Sequence, residues 1–96
     1  MTNNTLHLLR QSPFDQNDIQ LCLNNMTKND AVVLMDDGCY ILNHNSHQLL
    51  VKSDCTIYVI ASHASARGLS INEEFQSIDL KRLNELIFTH NNSVTW

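Results

Sequence analysis

AVVLM, from Ala31 to Met35, is apolar at every position and rich in β-branched side chains. A strand with one wet face alternates apolar and polar residues. A strand with no alternation is covered on both faces, as in a parallel sheet layered between helices. TIYVIA, Thr56 to Ala61, is a second run of the same kind. Two such runs in 96 residues, separated by segments of helical and loop character, predict a three-layer α/β domain. Its sheet is expected to be mostly parallel, with about five strands. At this length residues 1–96 are read as a single domain, because there is no room for a second core.

The remaining elements follow from local signals. TLHLL (Thr5 to Leu9) reads as a first strand. SPFD then fits a capping box, with Ser12 as N-cap, Pro13 at the first helical position and Asp15 three residues on; Asn17 is a rival cap. Ile19, Cys22, Leu23 and Met26 fall at i, i+3, i+4 and i+7, one face of a helix. Asp36, Asp37 and Gly38 end the AVVLM strand. CYIL (Cys39 to Leu42) is short and ambiguous, readable as one helical turn, and the patch Leu49 to Val51 is ambiguous too. HASARGL reads as a short helix stopped by Gly68, and FQSI (Phe75 to Ile78) as a short strand. Asp79 caps a final helix with Leu80, Leu83, Leu86 and Ile87 as its apolar stripe, and SVTW closes the sheet as an edge strand.

Charge narrows the function. Six basic residues against ten acidic ones leave a net charge of −4, and the basic residues form no dense run, so direct nucleic-acid binding is not expected. The apolar runs are too short to cross a bilayer, and MTNNTLHLLR lacks a basic segment followed by a signal-type apolar block. Cys22, Cys39 and Cys55 are odd in number and form no C-x-x-C pair, which suits free thiols in a cytoplasmic protein. No Gly-rich phosphate loop is present, and no cofactor is expected.

Individual residues carry two readings each. Cys22 is either a small apolar core residue on its helix or a reactive thiol; reactivity requires exposure and a lowered pKa. Asp36 and Asp37 lie at the carboxyl end of a strand, where open α/β sheets bind ligands, but an Asp-Asp-Gly turn with carboxylates bonded to nearby backbone N–H groups is the plainer account. Gly38 would let a partner approach closely, and Cys39 is read as a packed loop residue. Cys39 with His44 and His47 lacks the fourth ligand of a tetrahedral zinc site, so no metal is expected. Cys55 reads as structural and His7 as a hydrogen-bonded core histidine. Ser12 with His63 has no nucleophile elbow around it. Arg67 beside Gly68 is an anion-binding candidate or a solvated helix end.

TLHLLRQSPF, AVVLMDDGCY, IYVIASHASARGL and the ending IDLKRLNELIFTHNNSVTW, taken in order, resemble the TusB/DsrH family of small sulfur-relay subunits. The resemblance runs over nearly the whole chain. It implies a fold of the DsrE/F/H type and a heterohexamer with two homologous small subunits, one TusC/DsrF-like and one TusD/DsrE-like. In the TusB branch such a complex relays persulfide sulfur to 2-thiolation of the tRNA wobble uridine; in the DsrH branch it serves sulfur oxidation. The principal carrier cysteine belongs to the TusD/DsrE-like partner, so the resemblance implies an accessory, non-catalytic subunit. DsrH-type members also carry a cysteine in the helix after S-P-F, and Cys22 stands at that place as a persulfide candidate. TusB-type members often lack it.

Overall fold

The computed structural model describes residues 4–14, 18–27 and 29–96. Within it Thr5–Leu9 (β1), Ala31–Leu34 (β2), Thr56–Ile60 (β3), Gln76–Ile78 (β4) and Asn92–Thr95 (β5) pair in parallel as one sheet, ordered β4-β3-β2-β1-β5. All four residues of β2 are buried, as the unbroken apolar run requires. Helices occupy Asp18–Asn24 (α1), His47–Lys52 (α2), Ala61–Ala66 (α3) and Leu80–Thr89 (α4), and a 3-10 helix spans Asp36–Asn43. The fold is the expected α/β class, with every strand pair parallel.

Strand order decides which face each helix covers. From β1 the chain steps outward to β2, β3 and β4 in one direction, then returns past all of them to place β5 on the other side of β1. Right-handed crossovers put the first three connections on one face of the sheet and the last on the opposite face. The packing agrees: Ile19 and Cys22 of α1, Leu50 of α2 and Ala64 of α3 join Val32, Leu34 and Val59 in the larger cluster. Leu83 and Leu86 of α4 join Leu6, Val33 and Ile60 in a smaller one. Three layers result.

Several local expectations shift. Ser12 Oγ accepts the Phe14 N–H at 3.2 Å, so Ser12 closes a turn of its own, and α1 begins at Asp18. Asp15 and Asn17, the other residues of the two expected caps, lie outside the described residues. Asp36, Asp37 and Gly38 open the 3-10 helix instead of making a simple turn. Gly38 is required by the chain itself: a Cβ there would collide with the Leu9 carbonyl, while its N–H donates to Arg10 O at 3.1 Å and Met35 O at 2.9 Å. Asp79 does cap α4, accepting the Arg82 N–H at 2.8 Å. Of the α4 stripe only Leu83 and Leu86 are buried; Leu80 and Ile87 are partly open, because a lone helix on a sheet presents only its central positions to it. After α3, Gly68 takes φ 67° and the Leu69 N–H reaches back to Ala64 O, a Schellman-type stop.

Candidate functional site

The carboxyl ends of the strands converge on a crevice of about 600 Å³. Arg10 and Gln11 enter it after β1, Asp36 and Asp37 after β2, Arg67 after α3, and Thr95 and Trp96 at the end of β5. The location has a topological cause. β1 lies between β2 and β5, so the connections leaving its two sides diverge to opposite faces of the sheet and open a gap above its carboxyl end.

Two ion pairs line this gap. Arg10 Nε donates to Asp36 Oδ2 at 2.8 Å. Arg67 directs Nε and Nη2 to Asp37 Oδ1, each at 3.1 Å, and Nη1 to the His63 carbonyl at 3.1 Å. The carboxylates therefore serve arginines from other elements, not the neighbouring backbone N–H groups expected of an Asp-Asp-Gly turn. Asp36 holds a left-handed φ of 49°, a conformation costing on the order of 1 kcal/mol outside glycine. Its N–H donates to His63 Nδ1 at 2.9 Å, which fixes the backbone and leaves that ring nitrogen an acceptor. His63 thus positions Asp36, and among the described residues no hydrogen bond joins it to Ser12, whose hydroxyl accepts from the Phe14 N–H. Arg67 is a bonded crevice residue instead of a free helix end.

The cysteines lie apart from the crevice lining. Cys22 is fully enclosed on α1, and burial, followed by the negative Asp30 and the neighbouring Cys55, pushes its thiol up to about 12. Cys39 is fully enclosed in the 3-10 helix, its thiol donating to Leu34 O at 3.6 Å. Burial pushes it up to about 11, with Arg67 opposing and Asp36 and Asp37 adding. Cys55, half-buried before β3, donates to Thr27 O at 3.1 Å; burial raises it too, against a hydrogen bond from Ser53. All three are free thiols. His44 and His47 make a local turn: the Ser46 N–H donates to His44 Nδ1 at 3.0 Å and His47 Nδ1 donates to His44 O at 3.0 Å. Among the described residues no three His, Cys, Asp or Glu side chains gather as a metal site.

His7 is the buried, bonded histidine anticipated for β1. The Trp96 indole N–H donates to its Nδ1 at 3.1 Å, so the ring proton sits on Nε2 and is donated to Asp30 Oδ2 at 2.9 Å. Asp30 also accepts from the Thr5 N–H, the Thr27 N–H and the Thr27 hydroxyl. This network ties β1, the loop before β2 and the residue after β5.

Arg10, Gln11, Thr95 and Trp96 lie within the segments that carry the family resemblance, but no site role is read from the sequence for any of them. Their only signal is position, each directly following or ending a strand.

In fold the chain is similar to the YchN protein of E. coli, with a TM-score of 0.81 and 12% identity over 99% of this chain and 100% of that one. It is also similar to Tm0979 of Thermotoga maritima, with a TM-score of 0.64 and 18% identity over 88% and 92% of the two chains. No curated protein matches it in sequence. The profile of DsrH-like proteins matches residues 11–93. A match over that much of the sequence, on an α/β sheet of this topology, means that the chain belongs to the DsrH-like family of sulfur-relay proteins.

Proposed function

We propose that this chain is an accessory, non-catalytic subunit of a cytoplasmic sulfurtransferase complex that supplies sulfur for 2-thiolation of the tRNA wobble uridine. The observation that carries this reading is the state of its thiols inside a sulfur-relay family: Cys22 and Cys39 are sealed and protonated, with values pushed up to about 12 and 11. Sulfur transfer needs a reachable thiolate; Cys55, the half-buried thiol, is also raised by burial, so the carrier thiolate is assigned to a partner. The partners proposed are two homologous small subunits, TusC/DsrF-like and TusD/DsrE-like, in a heterohexamer. A net charge of −4 suits a subunit that leaves RNA contact to another component. Tagged protein purified from its own cells should bring down two further small α/β proteins, and deletion should remove 2-thiouridine from tRNA digests. A stable monomer without such partners overturns the proposal.

A second reading keeps Cys22 as a persulfide carrier in a DsrH-type complex, favoured by its place on the helix after S-P-F and by the DsrH profile match. The Cys22 thiolate would attack the outer sulfur of a donor persulfide, forming a new Sγ–S bond while the donor S–S bond breaks and the donor thiolate leaves. α1 would have to open first. Intact mass after exposure to a persulfide donor decides: a sulfur adduct lost in Cys22→Ser supports the carrier, and no adduct rejects it.

A further inference from the structure

Neither reading of the sulfur chemistry uses the crevice at the carboxyl ends of the strands. Its charges balance, with Arg10 and Arg67 against Asp36 and Asp37. Not all of its donors and acceptors are spent on the chain itself, the Arg10 and Asp37 side chains being 53% and 59% exposed. Arg10 commits only Nε, to Asp36, and among the described residues its Nη1 and Nη2 make no hydrogen bond. Arg67 directs Nε and Nη2 to Asp37 Oδ1, which leaves Asp37 Oδ2 without a partner among the described residues. The gap therefore offers a planar pair of cationic donors from one element and an anionic acceptor from another.

Both charges are held from behind. Asp36 anchors Arg10 and is itself fixed by its N–H bond to His63, and the Arg67 guanidinium that holds Asp37 is braced on the His63 carbonyl. A guanidinium with two unspent terminal amino groups takes a carboxylate in a two-point bond. A simple anion would bond there with Asp36 and Asp37 facing it, and a simple cation at Asp37 would face Arg10 and Arg67. A ligand bearing both charges meets neither conflict.

We propose that this crevice binds a small zwitterion of the α-amino-acid class, its carboxylate on the terminal amino groups of Arg10 and its ammonium on Asp37 Oδ2. Gln11 and Thr95 add neutral polar groups to the same lining. The absence of a phosphate-binding loop and the balanced charge argue against a nucleotide there. The inference stands apart from the sulfur-relay reading, since no thiol takes part in it.

The test is a titration of the ¹⁵N-labelled full chain with glycine and with L-cysteine, followed by amide and arginine side-chain NMR shifts. Acetate and methylammonium serve as half-ligands. Saturable shifts centred on Arg10, Asp37 and Thr95 are expected, with each half-ligand weaker by about tenfold and Arg10→Gln or Asp37→Asn weakening glycine by about tenfold. Retention of the dispersed spectrum by both variants separates lost binding from lost fold. The proposal is overturned if neither amino acid gives a saturable shift, if acetate binds as tightly as glycine, or if both folded variants bind like the parent.

Discussion

Asp30 accepts four hydrogen bonds while almost wholly buried, and its titration reports on the network. Burial by itself would raise its carboxyl, but the bonds from His7, Thr5 and Thr27 together outweigh that and hold it below the usual carboxylate value. A carboxyl depressed in the folded state stabilises the protein above its unfolded value, about 3.9, and that stability is lost as pH falls through the folded value. Unfolding midpoints in urea should therefore drop steeply below about pH 4, and Asp30→Asn should flatten that acid limb while weakening the protein near neutrality. An acid limb unchanged by Asp30→Asn would contradict the assignment. Trp96→Phe leaves the His7 Nδ1 acceptor unpaired and should cost about 1–3 kcal/mol. The thiols give an independent check. Cys55 alone should alkylate in the native chain near pH 8, with Cys22 and Cys39 reacting only as the protein unfolds.

At the scale of elements, the joint between β1 and the 3-10 helix is the tightest. Gly38 donates across it to the Arg10 carbonyl, and no side chain fits against Leu9. Gly38→Ala should cost several kcal/mol by forcing backbone apart and should disturb the Arg10–Asp36 pair above it, read as a large fall in the urea midpoint. The Asp79 cap is a smaller device. Asp79→Ala removes the acceptor for the Arg82 N–H and should cost about 1 kcal/mol, localised to α4 in hydrogen exchange. Both elements were visible in the sequence to different degrees. The D-L start of α4 carries its own capping chemistry, whereas CYIL suggested no more than one helical turn, because a 3-10 helix repeats every three residues and this one is set by its docking on β1.

Across the whole molecule the two faces of the sheet are unequally covered, three connections against one. Leu34, enclosed in the larger cluster, should cost about 2–5 kcal/mol when cut to Ala, while Phe88, 89% exposed on α4, should change stability by no more than about 0.5 kcal/mol. All five strands and the α/β class were legible in the chain, and so was the two-sided burial of β2, since β-branching and the lack of alternation in AVVLM and TIYVIA are properties of five or six neighbouring residues. His7 as a buried, bonded residue was legible for the same reason; its partners Asp30 and Trp96 were not. The crevice was not legible either. Arg10 and Trp96 are joined by a backbone bond of 3.3 Å although they stand at opposite ends of the sequence, and only the return of β5 to the flank of β1 makes them neighbours. The sequence by itself determined the strands, the helix stripes and the sulfur-relay family, because those signals are local or cumulative along the chain. Tertiary structure alone decided that Cys22 is sealed and that two arginines and two aspartates share one gap, because burial and charge pairing depend on which strands lie side by side.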